Sequence, residues 1–278
     1  AALHAAESAK TERDQFVALN ELGDVQRKEG DLAGALVSYR KQLGIVESMV
    51  AHDPGDTDWQ RNLSVSHERV GGVQMAQGDL TGALVSYRKA QGIAENLAVS
   101  DPSINGWQRD LSISYENFGD MQVKQADWTG ALASYRKAQG IAERLAARDA
   151  GNLNWQRDLA VIYDRAGDVQ LKQGDLAGAL GSYRQAQGIA ESLAARDLSN
   201  ANWQRDASVS YNKVGDVQRK QGDLVGALRS YRHSQGIRDT LAARDPDNAD
   251  RQLDLSVGYI SLGDLQVQQG DSTGALAS

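Results

Sequence analysis

Cysteine is absent from the 278 residues, proline occurs only three times, and aromatic side chains make up 6% of the chain. Without cysteine there is neither a disulfide framework nor a thiolate metal site, and nothing argues for an oxidising compartment, although a cysteine-free chain is also compatible with secretion. The reading adopted is cytoplasmic. Long apolar runs are missing too: the longest are a few residues, far short of the ~20 that span a bilayer, and no basic region followed by an apolar stretch opens the chain. An excess of positive charge is likewise lacking. The formal net charge of −7 argues against nucleic acid or an anionic membrane as the main partner, because both are bound through a basic face that displaces counterions. What the chain does have is 41% apolar residues, a composition suited to many Ala- and Leu-rich helices joined by short turns. Residue 1 is Ala and the closing GALAS stops where earlier, similar segments continue, so the sequence reads as a fragment of a longer protein.

Self-similarity organises the whole chain. Trp59, Trp107, Trp155 and Trp203 each open a WQR segment at a constant spacing of 48, and Thr11 and Arg251 hold the same phase. The units are therefore 11–58, 59–106, 107–154, 155–202 and 203–250, with a partial unit over 251–278 and residues 1–10 as an N-terminal extension of the first helix. Within the fourth unit, Trp155, Leu159, Ile162, Tyr163, Ala166 and Val169 recur three or four apart, and Leu176, Ala179, Leu180, Tyr183, Ala186, Ala190, Leu193 and Ala194 do so again. Each run marks one side of an amphipathic helix. Between them Gly174 is placed to end the first helix in a left-handed conformation, and Asp175 to cap the second. The turn is tight, which makes the two helices antiparallel. Asp56, Asn152, Asn200 and Asn248 stand where the next helix needs its N-cap, and all three prolines lie in that inter-unit turn, at Pro54, Pro102 and Pro246.

These residues resemble the tetratricopeptide repeat family, whose pattern looks like Tyr163, Ala166-Gly167, Gly174-Asp175, Ala179, Tyr183 and Ala186 in the fourth unit. The fifth matches with Tyr211, Val214-Gly215, Gly222-Asp223, Ala227 and Tyr231, and has Ser234 in the last small position. The usual unit is about 34 residues, so each repeat here carries roughly 14 more, which predicts about two extra turns on both helices and lengths near 20 residues, or ~30 Å. The resemblance implies an all-α, right-handed superhelical solenoid of antiparallel helix hairpins. Long units of this kind are similar to repeats in large bacterial signalling proteins.

Material for catalysis is sparse. His4, His52, His67 and His233 occupy different repeat phases, and His67 replaces the tyrosine of Tyr115, Tyr163 and Tyr211, so packing or surface roles are expected. No pair has the helical spacing of a zinc site, and the glycines recur at fixed structural positions rather than in a phosphate loop. The chain is read as no enzyme, with no cofactor and no metal. Gly44, Gly92, Gly140, Gly188 and Gly236 lie inside second helices, where glycine costs about 1 kcal/mol; close helix approach is the expected compensation. The four repeat tryptophans are expected to pack on the preceding unit, and Trp128 to fill the leucine position of the Gly-Asp-Leu turn.

The family resemblance further implies that first helices line a concave groove. Its positions would include Glu68, Glu116 and Asp164, then Arg69, Arg165 and Lys213 one residue on, then Asp24, Asp120, Asp168 and Asp216, with Gly72 breaking that row. Lys28, Lys124, Lys172 and Lys220 follow these four aspartates by four residues. Such pairs are in the favourable order for a helix and give ~0.3 kcal/mol each when exposed, or else the alternating rows read a charged peptide. Family members that clamp a terminal carboxylate use Asn where Asp stands here, which argues against that ligand class. The resulting reading is an interaction scaffold holding a protein or peptide partner in its groove, with a structural spacer or oligomerisation arm as the alternative. Val257, Tyr259, Leu262 and Leu265 are expected to lose cover at the end of the chain, giving weak end-to-end self-association.

Overall fold

The computed structural model describes residues 2–270, with side chains from residue 11 onward. Among them are eleven α-helices and no strand. The first helix, α1, is the longest (Ala2–Lys28, 27 residues). It is followed by α2 (Leu32–His52), α3 (Thr57–Ala76), α4 (Leu80–Ser100), α5 (Asn105–Lys124) and α6 (Trp128–Arg148). Then come α7 (Leu153–Lys172), α8 (Leu176–Arg196), α9 (Ala201–Lys220), α10 (Leu224–Arg244) and α11 (Ala249–Gln268). After α1 the odd-numbered helices have 20 residues and the even-numbered ones 21, the length expected from a 48-residue repeat.

The contacts group the chain into two units, residues 1–141 and 142–278. In the first, α1 to α4 each pack on the next helix in sequence and α4 packs on α5; in the second, the same holds from α7 to α11. Each hairpin closes in the same way. Gly30, Gly78, Gly174, Gly222 and Gly270 take φ of +80 to +84°, and Ala126 alone does the same job at φ 58°, a conformation that glycine enters freely and a Cβ opposes. The next residue caps the following helix: the Gly34, Gly82, Gly178 and Gly226 amides donate to Asp31, Asp79, Asp175 and Asp223. Asp56, Asn152, Asn200 and Asn248 cap the odd-numbered helices as their sequence positions suggest, whereas Ile104 precedes α5 without a side-chain cap.

Tyrosine holds the hairpins together. Tyr39, Tyr135, Tyr183 and Tyr231 are almost fully buried, and their rings lie where a Cβ on Gly23, Gly119, Gly167 or Gly215 would come within 2.5–2.6 Å. The close-approach glycines are thus those of the first helices. The second-helix glycines Gly44, Gly92, Gly188 and Gly236 have nothing near their Cβ positions, which corrects the expectation of close approach there: no packing compensates their helix cost. From three of these tyrosines the core continues into the following repeat, Tyr39 against Val70 and Val73, Tyr183 against Val214 and Val217, Tyr231 against Leu262 and Leu265. The last contact corrects a second expectation. Leu262 and Leu265 are covered by α10, and of the four residues expected to lose cover only Val257 and Tyr259 are exposed; self-association through residues 271–278 falls outside the described residues. The tryptophans pack as expected where contacts define them: Trp59 meets Phe16 edge-on at 5.7 Å, and Trp203 lies on Ala190 and Ala194. Trp128 is half-buried at the start of α6.

Candidate functional site

In each unit the odd-numbered helices carry the residues singled out from the sequence, and their partners show how those side chains are used. Asp24, Asp120, Asp168 and Asp216 each accept a 2.6 Å hydrogen bond from the tyrosine fifteen residues later, Tyr39, Tyr135, Tyr183 and Tyr231. The aspartate row therefore ties the two arms of each hairpin together. Five serine–glutamine bonds run beside it: Ser38, Ser86, Ser134, Ser182 and Ser230 bond Gln26, Gln74, Gln122, Gln170 and Gln218 at 2.6–2.7 Å. Lys28, Lys124, Lys172 and Lys220 are exposed and are the last residues of α1, α5, α7 and α9. There they complement the negative end of the helix dipole.

Successive repeats are also stapled across this face. Arg69 donates to Asp24 at 2.5 Å and stands 5.5 Å from the centre of the Tyr39 ring. Lys213 reaches Asp164 at 2.6 Å and Asp168 at 2.9 Å, with the Tyr183 ring 5.3 Å away. Burial works against the charge on Asp24, but the Tyr39 bond and Arg69 outweigh it and hold the carboxyl below its usual range. At Asp164 burial wins over Lys213 and raises it. Nearer the turns, Arg61 forks onto Asp110 and Arg205 onto Asp254.

Cavities open between these helices, and one in each unit holds residues singled out from the sequence. In residues 142–278 a cavity of about 370 Å³ has Ala160, Val161, Ala186, Ala190, Leu193 and Val209 among its apolar lining, with Arg165, Asp164 and Asp206 at its rim. Ala160 stands where Ser64, Ser112 and Ser208 hold the same phase, while Ala186 and Ala190 repeat Ala90 and Ala94 and become Ser234 and Arg238 in the fifth unit. Arg238 is buried there. In residues 1–141 a cavity of about 540 Å³ is lined by Lys28, Glu68, Arg69, Gly72, Tyr87 and Asn117 among others. Burial, then the Asp110 charge, pushes Glu68 up to about 8, against a hydrogen bond from Ser114. Of the groove residues expected from the repeat pattern, Glu68, Arg69 and Lys28 thus surround one cavity, and Asp164, Arg165 and Asp168 the other. Glu116 lies on α5 beside Glu68, whose carboxyl its charge raises. Tyr39 and Tyr87 in one lining, and Ala160, Ala186 and Ala190 in the other, were not singled out as site residues, although their phases were visible in the repeat. Among the described residues no helix is long and apolar enough to cross a membrane.

No protein-family model matches the sequence, and no curated protein matches it. Solved structures do. A putative kinesin light chain from Podosopora anserina with nearly identical TPR-like repeats superposes with a TM-score of 0.54 over 84% of this chain and 96% of its own, at 15% identity. The fold is that of the tetratricopeptide repeat. BtubC (BKLC) from P. vanneervenii matches at a TM-score of 0.67 and 19% identity, covering 88% of this chain and 87% of that one. The apo form of RapI gives 0.61 at 11% identity over 94% of both chains. At these identities the likeness is one of tetratricopeptide architecture, and the groove has to be judged on its own side chains.

Proposed function

We propose that this tetratricopeptide array is a protein–protein interaction scaffold that binds a partner peptide on the face of its odd-numbered helices, without turnover. The observation that carries the reading is the division of labour on that face. Residues that repeat, the Asp–Tyr and Ser–Gln pairs, are consumed in closing the hairpins. Beside them, the cavities take in residues whose phase changes from repeat to repeat, Gly72 and Asn117 in one, Ala160 and Arg165 in the other. Pockets of this construction seat one side chain of a bound segment and fix its register with a few polar groups. Glu68, Arg69, Glu116, Asp164, Arg165 and Lys213 are the groove candidates, with the terminal lysines at the edge; of these Arg69, Asp164 and Lys213 also bridge neighbouring repeats.

Selection of end-blocked peptides from a display library, followed by fluorescence anisotropy, tests the reading. Selected peptides should lose affinity by about tenfold or more to a variant carrying Ala160→Leu and Arg165→Glu, or to its counterpart in the first cavity, Arg69→Glu. Peptides indifferent to both would show that the odd-helix face is not the binding surface. Failure of any peptide to bind would favour the spacer or oligomerisation role.

A further inference from the structure

The row that closes the hairpins has one gap, and the gap lies in a cavity. Gly72 stands 48 residues after Asp24 and 48 before Asp120, where the other complete repeats carry the tyrosine-bound aspartate. Its tyrosine is present. Tyr87 is buried like its counterparts, and its hydroxyl oxygen lies 3.6 Å from the position of a Cβ on Gly72. Among the described residues that hydroxyl has no hydrogen-bond partner. The second partner of the aspartate has changed in step. Arg69 and Lys213 are the cations that meet Asp24 and Asp168 from the following repeat; the residue in their phase opposite Gly72 is Asn117. Gly72, Tyr87 and Asn117 all line the cavity of about 540 Å³.

We infer that this cavity is a subsite for a side-chain carboxylate, an aspartate or glutamate of the bound partner, which takes the place of the aspartate missing at residue 72. Tyr87 donates to it as Tyr39, Tyr135, Tyr183 and Tyr231 donate to their own aspartates, and the Asn117 amide supplies the second donor without a fixed charge. Charges around the cavity favour an anion over a cation. Arg27, Lys28 and Arg69 line it, with Asp24 already held by Tyr39 and Arg69. Glu68, raised to about 8 mainly by burial, is largely protonated near pH 7. Asp120 and then Glu68 are the opposing charges felt at Tyr87, and Asp120 is itself engaged by Tyr135. The inference rests on the odd-helix face being the binding surface, and adds which chemistry one part of it selects.

Gly72→Asp supplies the carboxylate from within the chain, and the Cβ has room at ordinary van der Waals distance. It should melt higher than Gly72→Ala, and Tyr87→Phe should abolish the difference between them; no difference, or one that survives Tyr87→Phe, would overturn the inference. Peptides selected on the unaltered chain with both ends blocked should be enriched in Asp or Glu. They should bind Gly72→Asp about tenfold more weakly or worse, and Tyr87→Phe should weaken them as well. If peptides bind through the face but ignore Gly72→Asp, the subsite is refuted and the groove reading stands. If none binds to any form, both fall. A requirement for a free C-terminus, with no enrichment of internal acids, would also overturn the side-chain assignment.

Discussion

Ala126 shows how strictly the repeat dictates single backbone positions. It is the one non-glycine residue with positive φ among the described residues, and it sits where every neighbouring repeat has a left-handed glycine. Ala126→Gly should therefore stabilise by up to about 1 kcal/mol, since it relieves the Cβ strain although it adds freedom to the unfolded chain; urea denaturation with an unchanged slope and a raised midpoint would show it. Two adjacent residues on α3 should set opposite pH limits. Burial, aided by the Lys89 charge, lowers His67 to about 4 from an ordinary 6.5, so the unfolded chain binds the proton first and stability falls as pH drops from about 6.5 towards 4. Glu68 is raised from 4.5 to about 8 by burial and the Asp110 charge, with Glu116 adding to it and Ser114 and Arg69 opposing. Its folded form holds the proton longer, so stability falls as pH rises from about 4.5 through 8. His67→Tyr should flatten the acid limb of the stability curve and Glu68→Gln the alkaline limb, each measured by denaturation at a series of pH values.

At the scale of the helix, glycine has two opposite meanings in this chain, and contacts decide between them. Gly188, inside α8, has nothing near its Cβ position, whereas a Cβ on Gly167, inside α7, would lie 2.6 Å from the Tyr183 ring. Gly188→Ala should gain about 0.5–1 kcal/mol from helix propensity, and Gly167→Ala should lose about 1–3 kcal/mol by overpacking. Thermal melts of the two single variants compare them directly. The sequence showed both glycines recurring every 48 residues but not which one faced a neighbour, and close approach was assigned to the wrong set. Helix lengths, turns and caps were legible because local chemistry fixes them: a left-handed position needs Gly, and an N-cap needs a side-chain oxygen. The role of Asp168 was not legible. Its spacing to Lys172 is a familiar local pair, while its partner Tyr183 lies on the other arm of the hairpin at 2.6 Å, a contact that periodicity within one helix does not reveal.

For the molecule as a whole, repetition makes the fold easy to infer and the function hard, because a feature present in every repeat serves every hairpin alike. Information about a ligand resides where a phase is broken: Gly72 against the aspartates, Asn117 against Arg69 and Lys213, Ala160 against the serines, Arg238 against the alanines. Those breaks can be counted in the sequence, but only the structure shows that the first three line cavities. A partner segment is expected to lie on the odd-numbered helices. Amide hydrogen exchange of the chain with and without a library-selected peptide tests this central claim most directly. Slowed exchange concentrated on α3 and α5, or on α7 and α9, is the predicted result; protection confined to α2, α4, α8 or α10, with the odd-numbered helices unchanged, would contradict it.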